Sequence, residues 1–253
     1  MSAAEYDVVI VGARCAGASL ATLLSRGGAS VLLLDKDPLP SDQVISTHTI
    51  HPPGIDVLDE LGVGTAVREK SPASQVIRLR KNDAHVDLQF ADGRAEYCPR
   101  RYRLDGLLQD AAVAAGAELR DRTRVATLLD EGGRVVGVRA ETDGKENAVR
   151  ARLVVGADGR RSTVASLVAA DEYLTWDAPR AAYWGYWEAP SFWRTDSAYP
   201  FGLYVANTAG NVRLVFQTDN DQLLISSAPP LDQVASWRAD PEAALRADLE
   251  SDP

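Results

Sequence analysis

The sequence predicts an α/β fold in its first two thirds and an antiparallel sheet after it. Three observations predict this. Val8, Val9, Ile10 and Val11 form an unbroken apolar run that leads straight into the loop Gly12-Ala13-Arg14-Cys15-Ala16-Gly17, the pattern of a parallel strand buried on both faces. A second such strand with a tight end recurs far along the chain, at Leu153-Val154-Val155-Gly156-Ala157-Asp158-Gly159. Beyond residue 171 the texture changes: all five tryptophans lie there, at Trp176, Trp184, Trp187, Trp193 and Trp237, among short alternating segments of period two.

The first element justifies itself residue by residue. After the loop, Ala16, Leu20, Leu23, Leu24 and Gly27 recur at helical spacing, and Gly27-Gly28 ends the helix. Ser30 to Leu34 reads as a second buried strand that stops on Asp35. The result is a Rossmann-like βαβ unit. Gly12 permits the tight turn out of the strand, and Gly17 lets the helix pack close to the sheet. The helix N-terminus offers N–H groups and a partial positive charge to a diphosphate. Asp35, followed by Lys36, can accept hydrogen bonds from both hydroxyls of an adenosine ribose. Arg14 stands where the middle glycine of G-x-G-x-x-G belongs, so the dinucleotide reading rests on strand, loop, helix, strand and acid occurring in order.

Composition sets bounds. The chain has 253 residues, 45% of them hydrophobic, with net charge −9 and pI about 4.9. That is room for one large or two modest domains. The acidic balance argues against a nucleic acid or an anionic membrane surface as partner. No apolar run approaches the roughly 18–20 residues that span a bilayer. The N-terminus lacks the basic and apolar regions of a signal peptide, and a cytoplasmic protein is expected. Cys15 and Cys98 are the only cysteines and have no metal-ligand or CxxC spacing. Cys15 reads as a small residue fitting a tight loop rather than a redox nucleophile.

The chain then continues in order. Lys36 to Pro40 is a proline-broken loop running into Ser46-Thr47-His48-Thr49-Ile50-His51-Pro52-Pro53-Gly54. His48 and His51 are the candidates for general acid or base, though no nucleophile or metal partner is evident for either. Ile55, Leu58 and Leu61 suggest a short helix ending at Gly62. Residues 75–80 and 84–90 alternate like a hairpin. After Pro99-Arg100-Arg101-Tyr102-Arg103, the residues Leu104, Leu107, Leu108, Ala111, Ala112 and Ala115 mark an apolar helix face that Gly116 stops. Arg101, just before that helix, is either a ligand contact or a solvated surface charge. Residues 123–129, 134–140 and 146–152 read as a three-stranded meander, with a turn at Glu131-Gly132-Gly133. The strand from Leu153 follows, and Ser162 can cap a helix from Thr163 to Val168. Residues 181–188, 201–206, 211–217 and 222–227 read as antiparallel strands. Their aromatics suit either ordinary sheet packing or a face lining a hydrophobic ligand pocket.

Two stretches together, GARCAG at 12–17 and VVGADGRRS at 154–162, resemble the FAD-dependent oxidoreductase superfamily of p-hydroxybenzoate hydroxylase, which includes aromatic monooxygenases, flavin halogenases and geranylgeranyl reductases. STHTIHPPG and PRRYRLD resemble its geranylgeranyl-reductase-like branch. The resemblance implies an α/β (α+β overall) architecture. An FAD-binding Rossmann-like domain would comprise 1–75 and 98–170, interrupted by the meander. An antiparallel substrate sheet would comprise 76–97 and 171–230, with a helical tail at 231–253. It implies that Gly12 to Gly17 hold the FAD diphosphate, that Asp35 holds the adenosine ribose where the family usually has Glu, and that Arg101 reaches the ribityl and diphosphate region. Val125 would make a backbone contact to the adenine, Asp158 and Gly159 would support FAD, and Ser46 to His48 would sit near the flavin. The hydroxylase version of the second motif ends in Arg, whereas this chain has Ala165, which bears on NAD(P)H as electron donor. The family's third motif contains a Gly-Asp pair, and that dipeptide is absent from the sequence. The expectation is therefore a truncated or split protein, with a homo-oligomeric partner or a second polypeptide supplying the rest.

The function expected on these grounds is an FAD-binding oxidoreductase acting on a hydrophobic small molecule, as an NAD(P)H-dependent monooxygenase or ene-reductase. The alternatives are a non-redox, cyclase-type binding protein derived from a flavoprotein, or one half of a split flavoenzyme. An NAD(P)-dependent dehydrogenase fits less well, because it leaves residues 154–162 unexplained and lacks a Tyr-Lys or His-Asp catalytic pair.

Overall fold

The structure, a computed structural model, describes residues 5–41, 49–191, 193, 203–208 and 211–251. In chain order its first elements are β1 (Tyr6–Val11), α1 (Cys15–Arg26), β2 (Val31–Leu34), α2 (Pro52–Glu60), α3 (Gly64–Lys70), β3 (Val76–Lys81), β4 (Ala84–Gln89), α4 (Arg101–Ala114) and β5 (Glu118–Arg120). There follow β6 (Thr123–Glu131), β7 (Arg134–Thr142), β8 (Lys145–Gly156), α5 (Thr163–Leu167), β9 (Tyr183–Glu188), β10 (Leu203–Thr208), β11 (Asn211–Thr218), β12 (Gln222–Ala228), α6 (Val234–Ala239) and α7 (Pro241–Glu250). The chain forms two compact units. One comprises Met1–Ser46, Leu58–Gly64 and Arg101–Tyr173, and the other Thr47–Val57, Thr65–Arg100 and Leu174–Pro253.

The first unit is built on a six-stranded sheet ordered β5-β2-β1-β8-β7-β6. β1 lies between β2 and the C-terminal half of β8, parallel to both, and β5 continues the parallel set beyond β2. Val9, Ile10, Leu32, Leu33 and Leu34 are completely buried, as apolar strands covered on both faces must be. The meander and the strand after it differ from the sequence reading in one respect. Residues 145–156 form one continuous strand: its first half pairs antiparallel with β7, and from Ala151 it pairs parallel with β1. No turn residue stands at Arg152-Leu153, so the strand changes partner without changing direction.

Two helix faces also differ from the expected apolar stripes. In α1 the buried residues are Gly17, Ala18, Ala21 and Thr22, while Leu23 is 42% exposed and Ala16 is exposed. The helix runs so close to the sheet that only small side chains fit beneath it. In α4 the buried residues are Leu104, Asp105, Leu108, Gln109 and Ala112. Leu104, Leu108 and Ala112 are buried as the apolar spacing predicts, and the buried face extends past them to two polar residues, Asp105 and Gln109.

The second unit carries a sheet ordered β4-β3-β10-β11-β12-β9. Its pairs are antiparallel except β3 with β10, which run parallel. That pairing joins segments over a hundred residues apart and has no local turn to announce it. Phe216 and Leu224 face one side with Cys98, Trp184, Tyr186, Leu214 and Ile77. Val215 and Leu223 face the other with Trp193, Val76 and Ile225. α6 and α7 complete this unit: Trp237 packs on Tyr183 with ring centroids 5.0 Å apart, and the Arg246 guanidinium lies 4.5 Å over the Trp187 ring. α7 is pinned by Asp248, whose buried carboxylate accepts from Arg213 Nε at 2.8 Å and from Asn211. No helix among the described residues is long and apolar enough to cross a membrane.

Candidate functional site

The loop between β1 and α1 is the tightest place in the first unit. Gly12 has φ +102°, and a Cβ there would lie 2.4 Å from the Ala157 carbonyl oxygen. A Cβ at Gly17 would lie 1.8 Å from the Gly12 carbonyl oxygen and 3.2 Å from Ile10 Cγ2. Only glycine fits at either position. The first requirement comes from the end of β8 and the second from the helix crossing over its own loop. The second motif thus closes on the strand that leads into the first: Ala157 N–H donates to Val11 O at 2.7 Å, while Gly12 N–H donates to Leu34 O of β2 at 2.7 Å. α1 starts without a side-chain cap, since Arg14 at the N-cap makes no such bond and no acid occupies the first turn. An uncapped helix start keeps its donors and its partial positive charge for an anion.

Asp35 lies 22 residues on and is nearly buried, at 7% exposure. Its Oδ2 accepts from Ala13 N–H at 2.8 Å and its Oδ1 from Asp37 N–H at 3.0 Å. The acid therefore clamps the loop as well as standing at the strand end, and each oxygen keeps a lone pair for a ribose hydroxyl. Lys36 is exposed beside it. Arg14 Nη2 reaches Asp37 Oδ2 at 2.8 Å.

From the opposite side α4 presents Arg101, Asp105 and Gln109, four residues apart and so on one helix face. Arg101 forks onto Asp105 with Nη2 at 3.0 Å from both oxygens. Asp105 is fully buried and also accepts from Cys15 Sγ at 3.1 Å. Gln109 Nε2 donates to Ala13 O at 2.8 Å. Burial, with the Asp105 charge behind it, pushes the Cys15 thiol up to about 12. Cys15 is therefore a neutral donor, the small loop residue its position suggests and not a thiolate nucleophile. The sequence expectation named Arg101, which the structure places against Asp105, and did not name Asp105 or Gln109. Their signal was the 101/105/109 spacing, which the apolar stripe beside it concealed.

The remaining expected residues are placed as follows. Asp158 caps α5: its Oδ2 accepts from Thr163 N–H at 2.6 Å, its Oδ1 from the Ser162 hydroxyl at 2.5 Å, and Ser162 Oγ accepts from Ala165 N–H at 2.9 Å. Its backbone and that of Ala157 abut Gly12, and Gly159 follows with φ +79°. Val125 is buried in the core of the first unit, on a strand whose Thr123 N–H donates to Asp35 O at 2.7 Å. Ser46 and His48 lie outside the described residues. His51 belongs to the second unit, where its Nδ1 sits 2.8 Å from Glu96 Oε2. Burial raises the Glu96 carboxyl above its ordinary range. Among the described residues no cluster of metal-ligating side chains occurs.

Gly12 to Gly17, Asp35, Arg101, Asp158 and Gly159 thus all lie in one unit. The glycine cradle, the uncapped helix start and the adjacent acid fit the adenosine diphosphate half of a dinucleotide. The comparisons with known proteins agree. Residues 5–177 match the family model described as FAD binding domain. A digeranylgeranylglycerophospholipid reductase of Methanosarcina acetivorans is 30% identical over 169 residues, covering 67% of this chain and 41% of the relative. Protein FixC of Escherichia coli K12 is 26% identical over 171 residues, covering 65% and 39%. This chain therefore spans about two fifths of the length of these curated relatives. Among solved structures, the myxobacterial FAD-dependent halogenase CndH superposes with a TM-score of 0.81 at 22% identity over 97% of this chain and 57% of that one. PqsL, described as a probable FAD-dependent monooxygenase from Pseudomonas aeruginosa, superposes with 0.78 at 19% identity over 93% and 63%; at such identities the likeness concerns the fold. On the strength of the family match over more than half its length, the chain belongs to the FAD binding domain family.

Proposed function

We propose that the chain binds FAD through its first unit and serves an oxidoreductase that acts on a hydrophobic small molecule, as a reductase or a monooxygenase with NAD(P)H as electron donor. The observation that carries this reading is the cradle at Gly12 and Gly17 under an uncapped helix start, with Asp35 clamped beside it. Gly12 to Gly17 would hold the diphosphate and Asp35 the adenosine ribose, and Arg101, its charge balanced by Asp105, would offer its remaining N–H donors from α4. Bound FAD would supply the redox chemistry, and the protein its position. The relative named as a reductase of a digeranylgeranyl lipid supports a long apolar substrate. So does the sheet face of the second unit, where Ile77, Trp184, Tyr186 and Leu214 remain partly buried around Phe216 and Leu224. The test is to load the purified chain with FAD and follow NAD(P)H oxidation across a panel of polyprenyl and aromatic compounds. Substrate-stimulated oxidation that disappears in Asp35→Ala supports the reading. An FAD-loaded protein that neither accepts electrons nor binds any of the panel refutes the oxidoreductase role.

A further inference from the structure

Arg14 is the one departure of the loop from the dinucleotide pattern, and its side chain has a definite place. Two links join the loop at 12–17 to the turn after β2. The inner one is buried: Asp35 accepts the N–H of Ala13 and the N–H of Asp37. The outer one is the pair Arg14 Nη2–Asp37 Oδ2 at 2.8 Å, with side chains 27% and 40% exposed. Asp35 holds the loop whether or not Arg14 takes part, so the outer link is not needed for the fold of the turn. A half-exposed ion pair with a single contact is weak and exchangeable. Arg14 is also the N-cap of α1, in extended conformation with φ −96° and ψ −164°. It therefore needs no glycine backbone, and it stands at the helix end toward which an anion is drawn.

Resting on the reading of this loop as the FAD diphosphate site, we propose that Arg14 is an exchangeable anion clamp, held by Asp37 until a dinucleotide arrives and then transferred to its diphosphate. A diphosphate offers two charges and paired oxygens in the geometry a guanidinium fork prefers, whereas Asp37 offers one half-exposed carboxylate. Asp37 thus acts as a placeholder that competes with the ligand. The missing middle glycine becomes a gain, since the close backbone approach it would have allowed is replaced by a mobile charge. The proposal fixes opposite signs for the two partners, which a purely structural ion pair does not.

The experiment titrates FAD, ADP and phosphate-free adenosine into the full chain and its Arg14→Gln, Asp37→Asn and doubly substituted variants, at two salt concentrations, with melting temperature as the folding control. Arg14→Gln is expected to weaken FAD and ADP about tenfold, the scale for one charged hydrogen-bond partner, to flatten the salt dependence, and to leave adenosine unchanged. Asp37→Asn is expected to tighten FAD and ADP, and the double variant to behave as Arg14→Gln alone. If both single variants weaken FAD alike, or if Arg14→Gln weakens adenosine as much as ADP, the pair is structural and the proposal is overturned. Unaltered FAD affinity in Arg14→Gln overturns it while leaving the site assignment intact. Failure of the unsubstituted chain to bind either FAD or ADP overturns the assignment and the clamp together.

Discussion

Gly17→Ala is the sharpest perturbation of the loop between β1 and α1. The added Cβ would sit 1.8 Å from the Gly12 carbonyl oxygen. Reaching even a tight contact of about 3 Å requires α1 and the loop to part by about 1.2 Å. The obstacle is backbone on both sides, so no rotamer change relieves it. The separation strains the buried bonds Ala13 N–Asp35 Oδ2 and Gln109 Nε2–Ala13 O, both now 2.8 Å. Overpacking costs about 1–3 kcal/mol, and each buried hydrogen bond lost adds about 1 kcal/mol. The expected destabilisation is about 2–5 kcal/mol, a large share of a typical stability of about 5–15 kcal/mol. Urea unfolding of the apo-protein measures it. Gly28→Ala is the control: Gly28 has φ +85° but nothing within 4 Å of a Cβ, so it should cost only the conformational strain of about 1–2 kcal/mol. If Gly17→Ala costs no more than Gly28→Ala, the close crossing of helix and loop is wrong.

Three further outcomes are expected. Gln109→Met keeps the volume and removes the donor to Ala13 O, leaving a buried carbonyl unpaired. Stability should fall by about 1–3 kcal/mol in urea unfolding, and FAD affinity should fall in the same variant; neither change would deny Gln109 its role. Burial draws the Asp248 carboxyl upward, but hydrogen bonds from Arg213 and Asn211 outweigh it and hold the group below its ordinary value of 3.8. Its contribution is therefore present above that value and is lost as pH falls through the lower folded-state value. Asp248→Asn should cost about 3–5 kcal/mol near neutral pH, the scale for breaking a buried pair, and should remove that part of the acid sensitivity seen by circular dichroism. Finally, Cys15, with its thiol at about 12, should react with iodoacetamide at neutral pH far more slowly in the folded chain than in urea; equal rates would contradict its donor role.

How much of this was legible in the sequence follows from where the information lies. The βαβ unit was legible because each part is local: an apolar run, a glycine turn, a helix stop and an acid at the strand end. The cap of α5 was legible for the same reason, Ser162 standing next to the turn it closes. The burial of Asp105 and Gln109 on α4 was not, because they face inward only to meet Cys15 and the Ala13 carbonyl, partners about 90 residues away. The continuity of β8 was hidden because a strand that swaps partners leaves no turn signature. The parallel pairing of β3 with β10 is set by tertiary assembly alone. At Arg14 the sequence showed a departure from the pattern, and only the position of Asp37 gives that departure a chemical meaning.

A dinucleotide held by the loop at 12–17 at its diphosphate would meet Asp35 at its ribose. Calorimetric titration of FAD and ADP into the purified chain and its Asp35→Ala variant tests it most directly. Saturable binding of both ligands to the unsubstituted chain is expected, one per chain. A loss of about 1–3 kcal/mol is expected in the variant, since a charged acceptor is withdrawn from the ribose and from Ala13 N–H. No binding of either ligand, or equal affinity in a folded Asp35→Ala protein, would contradict that placement.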